Sequence, residues 1–194
     1  MPGVVSGSLG GSPLVLPEKW HLMRGYLVGP KASLVGANLS DLDLRYWDFS
    51  GANLTGAQLY RSVFIGASFV GAKLNNANMD RSQAQGADFT DADLTGVNLS
   101  WVNVYLTNFT RAKLINVRRD CYDGWQCWNG NLDEFKFANA ILTGVRSSGF
   151  SPGYSFGWTL PAGWGNRYGY LFGPSADLSG LSLRQLDLTG LNLS

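Results

Sequence analysis

The sequence of 194 residues contains little charge and one histidine, and each shortage excludes a class of protein. Charged residues make up 15% of the chain, and the formal net charge is +1. Charge of one sign is therefore too scarce to attract nucleic acid or to imitate its surface, and we expect no nucleic-acid partner. No Ser, Cys or carboxylate constellation accompanies His21, so we predict no catalytic site, no cofactor and no enzymatic activity.

Long apolar segments are missing as well. No segment reaches the roughly 18 unbroken apolar residues that a membrane span needs, so we predict no membrane span. The N-terminus lacks the charged and apolar regions of a signal peptide. A segment taken from a longer protein would lack them too, so the location stays unknown from this feature.

Cysteine occurs only twice, as Cys121 and Cys127. In an oxidising compartment these two residues could close a small loop as a disulfide, whereas in the cytosol they would be free thiols. Together with the distant His21 they do not complete a tetrahedral metal site. A disulfide or inert thiols are therefore favoured over a metal site.

One feature is abundant: an apolar residue recurs at every fifth position over seventeen consecutive pentads. This column comprises Leu34, Leu39, Leu44, Phe49, Leu54, Leu59, Phe64, Phe69, Leu74, Met79, Ala84, Phe89, Leu94, Leu99, Val104, Phe109 and Leu114. A second column, two residues before each of these centres, is mostly alanine, as at Ala52, Ala72 and Ala92. A helix repeats every 3.6 residues and a strand every 2, so neither fits this period. A chain that turns a corner every five residues does fit, and four sides close a coil of about twenty residues.

The pentads resemble a known family. Gly36-Ala37-Asn38-Leu39-Ser40, Gly51-Ala52-Asn53-Leu54-Thr55 and Asp91-Ala92-Asp93-Leu94-Thr95 are similar to the A(D/N)LXX consensus of pentapeptide-repeat proteins. The resemblance implies an all-β fold, a right-handed quadrilateral β-helix with Leu or Phe at the inward centre. Members of this family have diverse functions, so the fold predicts no particular function. Some members imitate duplex DNA and bind gyrase through negative surface charge. The mixed charges here make a gyrase inhibitor a less favoured alternative.

The period breaks after Val117 and resumes in a new phase. We predict that residues 118–131 form an inserted loop that carries both cysteines and the aromatic residues Tyr122, Trp125 and Trp128. Exposed aromatic side chains are enriched at interfaces, so these three residues and Trp101 are candidate binding residues for a sugar or a protein. The alternative for the tryptophans is packing against the coil wall.

Oxygen-rich side chains cluster in the same region, at Asp120, Asp123 and Asp133. A calcium site is conceivable. The spacing matches no EF-hand loop, however, and aspartate also suits turns. We therefore predict no metal site and keep calcium as the weaker alternative.

A second, longer repeat has a period of 144 residues. The segment from Leu16 to Leu34 recurs from Leu160 to Leu178 with ten identical residues, among them Trp20 with Trp164 and Tyr26 with Tyr170. Each such lead segment, LPxxWxxxxGYLxGP, is predicted to form a short hairpin or strand whose aromatic residues cover the coil. The predicted organisation is a lead segment at 1–31, pentads at 32–117, the loop at 118–131, resumed pentads at 132–147, a second lead segment at 148–175 and a final coil at 176–194.

These patterns together predict a non-catalytic structural or protein-interaction solenoid that is a segment of a larger tandem-module protein. Stacked coils leave open sheet edges at their ends, so self-association head to tail is expected. The alternative is a module that binds carbohydrate or protein through the 118–131 loop. Tandem modules of this kind favour a secreted or cell-surface location over a cytoplasmic one.

Overall fold

The computed structural model describes residues 16–119, 139–144, 146–147, 160–167, 170–176 and 189. These residues contain six short strands and no helix, and therefore no helix long and apolar enough to cross a membrane. The strands are β1 (His21–Met23), β2 (Tyr26–Val28), β3 (Arg118–Arg119), β4 (Arg146–Ser147), β5 (Gly165–Arg167) and β6 (Tyr170–Phe172).

Most of the structure is a stack of square coils rather than conventional strands. Single parallel bridges join residues twenty positions apart, from Ser33 with Asn53 up to Asn98 with Arg118. In each bridge the chain bonds both ways: Leu34 N donates to Asn53 O at 2.7 Å, and Asn53 N donates to Ala32 O at 2.8 Å. One such rung occurs on each side of every coil. The predicted all-β quadrilateral helix is confirmed.

The four sides are named here by the residues at their inward centres. Wall A has Leu34, Leu54, Leu74, Leu94 and Leu114; wall B has Leu39, Leu59, Met79 and Leu99; wall C has Leu44, Phe64, Ala84 and Val104; and wall D has Phe49, Phe69, Phe89 and Phe109. All of these side chains are buried, with exposures of 0–6%. Burial of one large side chain per side supplies the hydrophobic stabilisation of the coil.

Each corner is a β-turn that needs a residue with positive φ. Ala37 N donates to Leu34 O at 3.1 Å across one corner, and Gly36, the third residue of that turn, has a φ of 65°. This is the φ that a type II turn requires, which explains the many glycines. Some corners nevertheless hold bulky residues, including Tyr46 (φ 63°) and Trp101 (φ 58°).

The alanine column lies inside the tube with two exceptions in the first coil. Leu42 and Trp47 occupy alanine-column positions but are only partly buried, and both pack against the core. Both side chains are larger than alanine, and the first coil lies at the end of the stack. Trp47 contacts the lead segment instead, where His21 stacks on it.

The coil continues beyond the break in the pentad pattern. Lys113 bridges Ile141 and Arg118 pairs with Arg146, both in parallel. In both pairs the partners are twenty-eight residues apart rather than twenty. The chain between the partners therefore contains eight residues more than one coil. Among the residues predicted to point inward in the resumed pentads, the structure describes Ala140 and Leu142. Both are buried, with exposures of 6% and 2%.

The two lead segments contain equivalent hairpins. In the first, His21 pairs with Val28 and Met23 with Tyr26. In the second, the same antiparallel register joins residues 144 positions later, β5 with β6. A Cβ at Gly29 would lie 2.7 Å from the Trp20 ring, and one at Gly173 would collide with the Trp164 ring. Glycine at these positions therefore lets the tryptophan lie against the chain.

Candidate interaction surfaces

The structure describes one of the predicted binding residues, Trp101. It occupies a corner of wall B and is half-buried. The other candidates lie outside the described residues: Tyr122, Trp125, Trp128, Cys121, Cys127, Asp120, Asp123 and Asp133. In the part of the chain that is described, no three His, Cys, Asp or Glu side chains are grouped as metal ligands would be.

Amide side chains form a ladder on the outside of wall B. Asn78 Nδ2 donates to Gln58 Oε1, and Asn98 Nδ2 donates to Asn78 Oδ1, both at 3.4 Å. Each Asn also accepts a hydrogen bond from the backbone two residues later, as Asn98 Oδ1 does from Ser100 N at 3.0 Å. The ladder therefore stabilises the coil and leaves few free polar groups for a ligand on this column.

The outer walls carry paired charges rather than an acidic surface. Residues 32–119 contain eight basic and seven acidic side chains. Six of the seven aspartates lie within 4.0 Å of a cation: Lys19–Asp48, Arg45–Asp43, Arg61–Asp41, Arg81–Asp80, Arg111–Asp91 and Lys113–Asp93. The seventh, Asp88, accepts hydrogen bonds from both the N–H and the hydroxyl of Thr90. Paired carboxylates present little net field, so these walls do not resemble a phosphate backbone.

The pairing is visible in the acidity of the carboxylates. The hydrogen bond from Arg111 lowers the pKa of Asp91, and the one from Arg45 lowers the pKa of Asp43. Asp80 on wall B behaves differently, because partial burial raises its pKa despite the nearby Arg81. Its Oδ1 is buried and has no hydrogen-bond partner among the described residues.

The lower edge of the first coil has unused backbone donors. In the second coil, Asn53 N and Gln58 N donate to Ala32 O and Ala37 O below them. The equivalent donors one coil down, Ser33 N and Asn38 N, have no acceptor among the described residues. An edge of this kind is a template for pairing with another chain.

A shallow pocket lies where hairpin β1–β2 meets walls C and D. It has a volume of about 220 Å³, and its lining comprises Lys19, His21, Tyr46, Trp47, Asp48, Gly66 and Ser68. The His21 ring stacks on Trp47 with centroids 3.9 Å apart and an interplanar angle of 11°. Lys19 Nζ lies 3.2 Å from Asp48 Oδ2 and ties the lead segment to wall D.

The side chains of this pocket were not among the residues predicted to bind. The sequence nevertheless carries a signal for it, because Trp47 interrupts the alanine column and Tyr46 occupies a corner that is glycine in the next two coils, at Gly66 and Gly86. Partial burial acts to raise the pKa of Asp48, but the hydrogen bonds from Ser50 and Lys19 outweigh burial and lower that pKa.

Comparison with known protein families gives one match. Residues 32–118 match the family described as pentapeptide repeats, in eight copies. None of the curated proteins compared with the chain matches it.

Several solved structures are similar to the chain. A pentapeptide repeat protein from the thylakoid lumen of Arabidopsis thaliana is 31% identical, over 53% of this chain and 63% of its own length, with a TM-score of 0.42. One from Nostoc PCC 7120 is 22% identical over 55% and 83% of the two chains, with a TM-score of 0.43. QnrB1, a plasmid-mediated fluoroquinolone resistance protein, is 22% identical over 84% and 77%, with a TM-score of 0.26. The chain spans less than two thirds of the Arabidopsis protein, and these likenesses carry no argument about function.

Proposed function

Because residues 32–118 form a right-handed β-helix of pentapeptide repeats, we propose that the protein is a non-catalytic structural and interaction solenoid. It is one segment of a tandem-module protein, at the cell surface or secreted, and it associates head to tail with further copies. The observation that carries this proposal is the row of backbone donors on the lower edge of the first coil.

Ser33 and Asn38 occupy the positions, one coil lower, that are equivalent to the donors Asn53 and Gln58. Asn53 N and Gln58 N bond to the coil below at 2.8 and 2.9 Å. The lower edge of the first coil therefore presents the same pattern that every internal coil uses for stacking. A coil from a second copy would extend the ladder with the same bonds, as in strand addition to a sheet edge.

Stacking across the module boundary within this chain supports the same idea. Gly144 N, at the end of the resumed pentads, donates to Ser175 O at 2.7 Å. Ser175 is the last residue of the second lead segment and has a φ of 58°, as has Lys31 at the end of the first lead segment. The C-terminal end of a lead segment can therefore bond to a coil of the preceding module.

The experiment compares the wild-type chain with the double variant Ser33→Pro, Asn38→Pro by sedimentation velocity over a wide concentration range. Proline removes both edge donors, and Ser33 N and Asn38 N make no bond within the described coils, so the fold is retained. Wild type should form growing oligomers, visible as rods by electron microscopy, and the proline variant should remain monomeric. The matched control, Ser33→Ala with Asn38→Ala, keeps both N–H groups and should associate like wild type. A wild type that stays monomeric at every concentration overturns the proposal.

The 118–131 loop supports a second candidate function, binding of carbohydrate or protein. The specific observation is that Arg118 and Arg146, which pair with each other, are separated by eight residues more than one coil needs. This extra length is available for a loop. The variant Trp125→Ala, Trp128→Ala should then lose the partner and keep its circular dichroism spectrum. A variant that binds as well as wild type removes this candidate.

A further inference from the structure

We propose that the pocket beside hairpin β1–β2 is a binding site for a neutral pyranose sugar, either free or as one unit of an oligosaccharide. All residues that line this pocket lie between positions 19 and 68 of the sequence, and ligand binding there does not require head-to-tail association. Its volume of about 220 Å³ is below the range of about 300–1,000 Å³ typical of drug-sized ligands. The space therefore suits a single small ring rather than a larger cofactor.

Tyr46 supplies the stacking surface. It is 77% exposed, although its backbone adopts the left-handed conformation that bulky residues rarely take. The ring lies over Gly66, since a Cβ at Gly66 would be 2.6 Å from Tyr46 Cδ1. The electron-rich face of the ring attracts the C–H hydrogens on the apolar face of a pyranose.

Trp47 and His21 form a rigid wall beside it. Trp47 stands where the next two coils have Ala67 and Ala87, and it is only partly buried. The His21 ring covers one of its faces, with ring centroids 3.9 Å apart. The centroid of the Phe49 ring lies 6.4 Å from that of Trp47. A side chain fixed on both sides loses little conformational entropy when a ligand binds, so the site is preorganised.

The polar groups of the pocket favour a neutral ligand with hydroxyl groups. Lys19 Nζ and Asp48 Oδ2 are 3.2 Å apart and pair with each other, so neither group is left as an unpaired charge that would select an ionic ligand. Asp48 offers acceptor oxygens, Lys19 offers donors, and the hydroxyl of Ser68, 2.8 Å from that of Ser50, can donate or accept. Acceptors and donors beside an aromatic face match the alternating hydroxyl and C–H groups of a sugar.

The test uses the full chain on an array that carries neutral and acidic glycans, followed by titration calorimetry with the strongest neutral glycan and with its free monosaccharide. The variant Tyr46→Gly removes the ring and is expected to fold, because glycine holds the same corner in the next two coils, at Gly66 and Gly86. The matched control is Tyr60→Ala on wall B, because Tyr60 does not line this pocket and its ring lies under the Arg61 guanidinium.

Wild type should bind at least one neutral glycan, and Tyr46→Gly should weaken that binding about tenfold or more, as expected for loss of an aromatic contact. The control and the Trp125→Ala, Trp128→Ala variant should bind like wild type. Binding of the monosaccharide distinguishes a free sugar from an oligosaccharide unit as the natural ligand. Absence of neutral glycans among the hits, hits for acidic glycans alone, or an unchanged affinity of Tyr46→Gly would each overturn the proposal.

Discussion

Walls C and D have the same kind of backbone ladder, but their side chains fill the interior of the tube in different ways. Wall D repeats a single residue, and its rings stack in parallel: Phe69 lies 4.8 Å from Phe49 and 4.6 Å from Phe89, with interplanar angles of 5° and 1°. Wall C has inward side chains of different sizes, with Phe64 below Ala84. The difference shows that the backbone ladder determines which side chains point inward. The volume of the inward side chains is balanced between neighbouring coils.

The two walls also differ in polarity at the alanine-column positions. Wall C has two buried serines there. Ser62 Oγ donates to Leu39 O at 2.6 Å, whereas Ser82 Oγ has no hydrogen-bond partner among the described residues. On wall D the corresponding polar residue, Thr107, donates to Ala84 O at 2.9 Å. Two of these three buried hydroxyl groups, those of Ser62 and Thr107, thus donate a hydrogen bond to a carbonyl oxygen one coil below.

The largest expected effect is on wall D. Phe69→Ala removes the middle ring of the stack and should lower the free energy of unfolding by about 3–5 kcal/mol, because a cavity remains between two fixed neighbours. Chemical denaturation monitored by circular dichroism measures the change. A loss below about 1 kcal/mol, of the size seen when a site can collapse around a deletion, would contradict the rigid stack.

The next effect compares a corner of wall C with a corner of wall D. Gly66 and Gly71 have nearly the same φ, 65° and 64°. A methyl group at Gly66 meets the Tyr46 ring, whereas one at Gly71 meets no atom within 4 Å. Gly71→Ala should therefore cost about 1–2 kcal/mol for the left-handed backbone alone, and Gly66→Ala should cost more. Equal losses in thermal or chemical denaturation would show that Tyr46 does not lie over Gly66.

A smaller effect separates the two serines of wall C. Ser62→Ala should cost about 1 kcal/mol, because it removes a hydrogen bond and leaves a buried carbonyl unsatisfied. Ser82→Ala removes an unpaired buried hydroxyl and should be neutral or stabilising. The comparison is made at equal denaturant by the same unfolding assay. A Ser82→Ala variant as unstable as Ser62→Ala would mean that Ser82 has a partner.

The smallest expected effect is electrostatic and depends on pH. The folded pKa of Asp48 lies below its unfolded value of about 3.9, so its contribution to stability is present above that pH and is lost as the pH falls through the folded pKa. Asp48→Asn should therefore lower stability by up to about 1 kcal/mol at neutral pH and converge with wild type in acid. On wall C, Asp43→Asn should change nothing measurable, because Asp43 and its partner Arg45 are both solvent-exposed. An Asp48→Asn difference that persists unchanged at low pH would contradict the role of the carboxylate.

Much of this architecture can be predicted from sequence because it depends on a strict period. The inward position of Leu54, Leu74 and Leu94 and the amide ladder of wall B both follow from counting in fives and twenties. Such positions are set by the backbone, which repeats without variation over the pentads.

The pocket could not be predicted in this way. It joins His21 to Trp47, which are twenty-six residues apart and belong to a hairpin and a wall of different periods. The sequence shows the irregularity, a tryptophan among alanines, but the contact depends on how the hairpin packs on the first coil. For Trp101, the position at a corner follows from the five-residue period. Its half-buried state does not, because it depends on the neighbouring side chains.

The central claim, that residues twenty positions apart form files inside the tube, is tested most directly by nuclear Overhauser spectroscopy on protein labelled at phenylalanine. Assignments would come from single Phe→Leu variants. The account predicts strong contacts between the ring protons of Phe69 and those of both Phe49 and Phe89, and contacts between Phe89 and Phe109. Rings that show contacts only to residues near them in sequence would contradict it.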